Sequence, residues 1–282
     1  MDLNQAILFG QIVNAAYAIQ PDDIVNRAGS MIPVGGINFT VATSIYANDL
    51  ATDMDPNGGN QRVSIGLILQ SPAGDVVIAI RGTVGIMEWI HDAQFLWVPC
   101  PFLPGAGNTD DGFTAMYESF EINTAAGSPN VVDALPTLPF AQPVKSLTIC
   151  GHSLGASLAT LLALDVASHC AAPFNSPAVY TYASPRVGDA TFAAMYNHVV
   201  PNTNRIANRI DLVPNLPPAP MYVHVNGLYD LNPIQLLPLP PKVLINPTVA
   251  CEHVLDSYLY LLSLAAGGAV LPLDATCTPP VI

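Results

Sequence analysis

Between residues 146 and 169 the sequence reads Ser-Leu-Thr-Ile-Cys, then Gly151-His152-Ser153-Leu154-Gly155, then an apolar run broken only by a few small or polar residues. Few architectures accept an apolar strand, a tight turn with glycine two residues either side of one serine, and a long apolar helix in direct succession. A strand and a helix that are apolar all round must be covered by protein, as they are in an α/β sheet with helices on its faces. So short a turn holds the serine in strained backbone, pointing out at the sheet edge. It also sets it at the positive end of the following helix, where developing negative charge is stabilised. Gly151 and Gly155 stand where strand and helix approach too closely for side chains. The plainer role for Ser153 is an N-cap on a buried helix.

The rest of the chain has matching elements. Leu3, Ile7, Leu8, Ile12, Ala15, Ala16 and Ile19 recur at helical spacing and predict an amphipathic N-terminal helix over 3–19. Residues 37–46, 63–69, 75–80, 147–150, 179–183, 205–212 and 221–225 read as strands. Residues 113–125, 153–169, 189–198 and 252–265 read as helices, and Ser71-Pro72-Ala73-Gly74-Asp75 as a turn. Alternating strands and helices predict one α/β domain over 1–282, with a mostly parallel central sheet covered on both faces. Ten of the 27 prolines fall between Pro201 and Pro247, which predicts a loop-rich crust over one end of the sheet.

Composition closes several functional classes. Charged residues make up 10% of the 282, against about 25% in an average domain, and 51% are hydrophobic, so the chain is not disordered. Eight basic against 21 acidic residues, a net charge of −13, leave no basic stripe for nucleic acid. Docking to anionic lipid is disfavoured for the same reason, so any lipid contact rests on apolar area. The N-terminus shows no basic region followed by a short apolar run and cleavage site, so no Sec signal is visible. The charge-free run Ser257–Leu273 is broken by Gly267, Gly268 and Pro272 and reads as a buried helix, not a membrane span. The five cysteines form no metal pattern; Cys251 and Cys277 either bridge or remain buried thiols. Asp53-Met54-Asp55-Pro56-Asn57-Gly58 imitates a calcium loop, but Ser64 occupies the position that needs a bidentate acid. No metal or cofactor is expected.

A serine needs a base, and the base an acid that fixes its tautomer; after a nucleophile elbow the chain order is acid, then histidine. Asp165 lies three turns down the same helix, and Asp189 fits a helix N-terminus. Asp211 closes a strand, where functional residues of open α/β sheets gather, and is the chosen acid. Only His224 and His253 follow it. His224 sits mid-strand in MYVHV, so His253, in a loop before the last helix, is the chosen base. His152 is turned away by the elbow and takes a local structural role. One oxyanion donor is expected from the backbone of Leu154, the other from Thr83 in the loop after DVVIAI.

These pieces resemble the class 3 lipases, the fungal-type triacylglycerol lipase family of the α/β-hydrolase superfamily. The resemblance is carried by AAYAI, VVIAIRGTVGIMEWIHDAQF, DGFTAMYESF, LTICGHSLGASLATLLALD, VYTYASPRVGDATFA, RIANRIDLVPNLPP and EHVLDSYLYL, in that order from about Tyr17 to Leu261. It implies Ser153, Asp211 and His253 as triad, Thr83 and Leu154 as oxyanion hole, and a helical lid over about 84–95. Ile86, Met87, Trp89 and Ile90 are then the lid's apolar substrate face; a packed core helix is the plainer reading. Tyr17 either hydrogen-bonds near Ser153 or Thr83 or is a half-buried core tyrosine. The apolar runs 95–104 and 228–245 line an acyl groove. Asp110 stands where the family usually has histidine, and Ala18 where it has cysteine. The expected activity is triacylglycerol hydrolysis at a lipid–water interface, with acylglycerols or other lipid esters as partners. Hydrolysis of small or aromatic (feruloyl-type) esters, a phospholipase A and an inactive scaffold are the other readings.

Overall fold

The computed structural model describes residues 1–48, 61–82, 95–124, 127–236 and 248–278. The lid segment up to Gln94, with Thr83, Ile86, Met87, Trp89 and Ile90, lies outside them, as do the calcium-loop imitation and residues 237–247 of the expected groove.

Among the described residues a sheet of nine strands dominates. The strands are β1 (Met31–Val34), β2 (Ile37–Asn48), β3 (Arg62–Gln70), β4 (Asp75–Ile80), β7 (Glu121–Ile122), β8 (Ser146–His152), β9 (Ala178–Tyr182), β10 (Thr203–Asn208) and β11 (Leu228–Leu231). Their order is β1-β2-β3-β4-β8-β9-β10-β11, with β7 beside β2. The pairings β4–β8, β8–β9, β9–β10 and β10–β11 are parallel, and β1 to β4 form an antiparallel meander. A separate hairpin joins β5 (Trp97–Pro99) to β6 (Asn108–Asp110).

Continuous apolar runs give the central strands two buried faces. Val76, Ile78 and Ile80 of β4 enter one core with Phe113, Leu158, Leu161, Leu162 and Phe192 of helices Asp111–Glu118, Leu154–His169 and Ala190–Val199. Val77 and Ala79 enter the other, with Ile12 and Val13 of helix Leu3–Tyr17 and Tyr258, Leu261 and Leu262 of helix Leu255–Ala266. The N-terminal and last helices pack so closely that a Cβ on Gly10 would lie 2.6 Å from Leu259 Cδ2.

Several boundaries depart from expectation. Residues 221–225 form no strand: Val223 makes only an isolated bridge to Gly188, because Pro217, Pro218 and Pro220 turn the chain just before it. The strand predicted over 205–212 stops at Asn208, and Arg209 and Ile210 turn so that Asp211 folds back. Helix 113–125 ends at Glu118. The proline-rich stretch 201–247 is not only crust, since β10 and the edge strand β11 lie within it. The last helix is two helices, Val249–His253 and Leu255–Ala266, parted at Val254, whose ψ of 144° is extended. The second ends at Gly267, and among the described residues no helix is long and apolar enough to cross a membrane. Cys251 and Cys277 are bridged, tying residues 274–278 to the short helix.

Candidate active site

β8 runs through His152, and Ser153 follows at φ 58°, a left-handed conformation that costs about 1–3 kcal/mol in a non-glycine residue. The turn is this tight because β8 must feed a helix that packs back on β4. A Cβ on Gly155 would lie 2.4 Å from Arg81 O and 2.5 Å from Ile80 O, and one on Gly151 2.2 Å from Gly155 O. Ser153 occupies the N-cap position but its side chain caps nothing. Its hydroxyl faces the imidazole of His253 instead, with Oγ 2.8 Å from Nε2.

The imidazole is held from behind. His253 Nδ1 lies 2.9 Å from Asp211 Oδ2. A carboxylate there accepts, so Nδ1 carries the proton and Nε2 presents its lone pair to the serine hydroxyl. Asp211 takes two more donors, the Val213 amide on Oδ1 at 3.0 Å and the Tyr258 phenol on Oδ2 at 2.7 Å. The Tyr258 oxygen accepts in turn from the Asn208 amide at 3.0 Å. Burial, reinforced by the Asp211 charge, pushes the Tyr258 phenol well above its usual range, so it stays a donor. Ser153, Asp211 and His253 are 1%, 1% and 4% exposed, which removes competing water from the two bonds that join them. His253 arrives on the end of a helix, where sequence had placed a loop. That helix is pinned to the end of β10 by Asn208 Nδ2 donating to Glu252 O at 2.9 Å.

On the other side of Ser153, Gly82 leads into the segment holding Thr83. Buried Arg81 donates through Nε to Ser64 O at 2.9 Å and through Nη1 to Gly82 O at 2.8 Å. Tyr17 is half-buried, and its hydroxyl oxygen accepts the Gly82 amide at 2.9 Å. The same hydroxyl lies 2.8 Å from His152 Nδ1, and His152 Nε2 lies 2.9 Å from the His253 carbonyl. His152, expected in a local structural role, thus holds its ring between Tyr17 and the His253 backbone. Leu154 opens its helix, so its amide has no carbonyl of that helix four residues back.

The remaining candidates sit elsewhere. Asp189 caps its helix through the Phe192 amide, and Asp165 bonds Tyr117 and His169. His224 bonds Pro214 O at 2.7 Å. Asp110, at the position where histidine was expected, caps helix Asp111–Glu118 and accepts from Tyr222 at 3.1 Å. Among the described residues no cluster of histidine, cysteine and acid groups is arranged to hold a metal ion. Sequence reading missed Tyr258 and Arg81 altogether. The adjacency of Arg81 to the Gly82-Thr83 loop was a usable signal; Tyr258 carried none.

Comparison with known proteins bears on this arrangement. The family model described as Lipase (class 3) matches residues 77–221. Phospholipase A1-II 6 of Oryza sativa subsp. japonica is 31% identical over 218 residues, covering 69% of this chain and 52% of that protein. Secreted mono- and diacylglycerol lipase A of Penicillium cyclopium is 34% identical over 155 residues, covering 55% and 47%. With the rice phospholipase A1-II 4 the match spans 51% of this chain and 40% of the relative, so the curated relatives are matched over about half their length or less. A crystal structure of a mutant form of the Penicillium cyclopium MDLA protein superposes with a TM-score of 0.64 at 26% identity, covering 82% of this chain and 80% of that one. The mono- and diacylglycerol lipase of Aspergillus oryzae, at 24% identity and a TM-score of 0.64, shares the fold.

Proposed function

The chain belongs to the class 3 lipase family of lipolytic serine hydrolases, and on that premise we propose that it hydrolyses the carboxylic esters of acylglycerols, triacylglycerols among them. The observation that carries this reading is the buried line Ser153–His253–Asp211, with bonds of 2.8 and 2.9 Å on a serine held at φ 58°. His253 Nε2 removes the proton as Ser153 Oγ bonds to the acyl carbon. The carbonyl oxygen becomes an anion held by the Leu154 amide and by Thr83. The intermediate collapses with transfer of the same proton to the departing glycerol oxygen. Water then repeats the sequence on the acyl-serine, releasing the fatty acid and restoring the hydroxyl. On sequence grounds the apolar segment 84–95 serves as lid, with Ile86, Met87, Trp89 and Ile90 toward substrate, closing over the site away from lipid.

Exposed Ile210 and Leu212, on either side of Asp211, support an apolar rather than a polar approach to the site. The net charge of −13 favours uncharged lipid over anionic phospholipid. A second reading, hydrolysis of phospholipid esters, is favoured by the relatives named phospholipase A1. The test is Ser153→Ala against the unaltered chain, on emulsified tri-, di- and monoacylglycerols, phosphatidylcholine vesicles, soluble short esters and feruloyl esters. Loss of all turnover with an intact fold is expected, together with the unaltered chain's preference for emulsified acylglycerol. Ordinary turnover by Ser153→Ala refutes the nucleophile; a preference for vesicles or for feruloyl esters refutes the substrate. An unaltered chain that forms no adduct with a serine-directed phosphonate is an inactive scaffold.

A further inference from the structure

We propose that Tyr17 and His152 form a one-way hydrogen-bond relay that fixes the spacing between the Gly82 loop and the backbone of His253, making both of them positioning residues for ester hydrolysis. The inference rests on the reading of Ser153 as nucleophile and His253 as base.

The polarity of the relay follows from its ends. The His253 carbonyl can only accept, so His152 Nε2, 2.9 Å away, carries the proton. Burial, and then the neighbouring His253, hold the His152 imidazole well below its usual range, so the ring is neutral and Nδ1 bears a lone pair. The Tyr17 hydroxyl, 2.8 Å from Nδ1, must then donate. Burial keeps that phenol protonated. Its oxygen is left to accept the Gly82 amide at 2.9 Å. Gly82 N–H, Tyr17 O–H and His152 Nε2–H therefore all point one way, ending on the His253 carbonyl. Each donor of the relay therefore meets an acceptor.

Both termini are places where backbone position matters to the reaction. Arg81 holds the Gly82 carbonyl at 2.8 Å while Tyr17 holds its N–H at 2.9 Å, so both peptide units that flank the Gly82 Cα are held. A Cβ on Gly82 would lie 2.6 Å from the Tyr17 oxygen and 2.9 Å from Ser153 Cβ, which places this peptide in a slot directly beside the serine. At the far end, His253 closes the helix Val249–His253, and extended Val254 breaks the run of amides beyond it. The His152 and His253 rings face each other with centroids 4.8 Å apart and planes tilted by 40°. The relay thus passes beneath the serine, joining a loop from β4 to a helix from the last part of the chain. Electrostatic stabilisation of an oxyanion depends on donors that are already in place when charge develops, and small displacements are expensive.

The experiment compares Tyr17→Phe, His152→Gln and the double variant on p-nitrophenyl butyrate, with the unaltered chain labelled by a serine-directed phosphonate in parallel. His152→Gln keeps an N–H donor but loses the Nδ1 acceptor, so both single changes cut the same link. Each single variant is expected to lower kcat about tenfold, equivalent to about 1.4 kcal/mol of barrier. KM should stay within about twofold, and the double variant should be no slower than the slower single one, because neighbours in one network are not additive. Unfolding temperatures are measured first and the assays run well below them; where Tyr17→Phe does not fold, the division of kcat against KM in His152→Gln decides alone. A kcat within about twofold of the unaltered chain in the single variants, losses that multiply in the double variant, or a change confined to KM overturns the relay. An unaltered chain that takes no phosphonate overturns the nucleophile reading, and the relay with it.

Discussion

The phenol of Tyr258 donates to Asp211 on the same oxygen, Oδ2, that faces the His253 ring, at 2.7 Å against 2.9 Å. A carboxylate oxygen shared in this way cannot swing off the imidazole without breaking a second bond. Tyr258→Phe is expected to lower kcat by about tenfold at unchanged KM, since one buried hydrogen bond to a charged group contributes about 1.5–3 kcal/mol. It also strands the Asn208 amide, so the unfolding temperature should fall. Steady-state kinetics with a thermal melt check both, and a variant with ordinary kcat refutes the positioning role.

Close packing at the elbow gives a second prediction. At Gly155 an added methyl meets two backbone carbonyls, which cannot move aside as a flexible side chain can. Gly155→Ala is expected to cost about 3 kcal/mol or more of stability and most of the activity. Gly267→Ala, where nothing lies within 4 Å but φ is +69°, is the control for backbone strain alone and should cost about 1 kcal/mol with full activity retained. Denaturant titration separates the two; equal losses contradict the packing argument.

His224 makes stability depend on pH with a definite sign. Burial first, then Arg205, lowers its imidazole to about 3, while in the unfolded chain it returns to about 6.5. Its contribution is therefore complete above pH 6.5 and is lost as pH falls from there toward 3, because only the unfolded chain takes up the proton. The slope for one such proton is at most about 1.4 kcal/mol per pH unit. His224→Gln should flatten the unfolding temperature between pH 6.5 and 4.5. An unchanged slope refutes this.

The bridge between Cys251 and Cys277 closes a loop of 26 residues, two positions before His253. The chain-entropy relation gives about 3.5 kcal/mol for a loop of that length. Replacing both cysteines by serine should lower the unfolding temperature by several degrees and reduce kcat more than KM, because the helix that presents His253 loses its tether. Equal kcat in the bridged and unbridged chains refutes the link to the site.

Local pattern made the elbow readable. Gly151, Ser153 and Gly155 stand within five residues, and the apolar strand and helix flank them directly. Chain order left seven acids after Ser153, of which Asp211 stood out by its place just past a strand, and only two histidines beyond it, so Asp211 and His253 could be picked without knowing any contact. Contacts made by packing were not readable. Nothing in the spacing distinguishes Tyr258, on a helix of leucines, from any other half-apolar side chain. Tyr17 and His152 meet only because helix Leu3–Tyr17 lies across the sheet over β8. The strand expected at 221–225 failed because β-rich composition is outweighed by prolines just upstream. The break at Val254 was hidden by an unbroken helical pattern.

Ser153 and His253 are separated by 100 residues, and Asp211 and His253 by 42. Contacts at that range cost more chain entropy to close than those within a helix or the meander, and the cost is recovered only by completed long-range packing. Turnover is therefore a reporter of the finished chain: during refolding its recovery should trail the return of helical circular dichroism, and a variant arrested partway would keep its helices yet show no turnover.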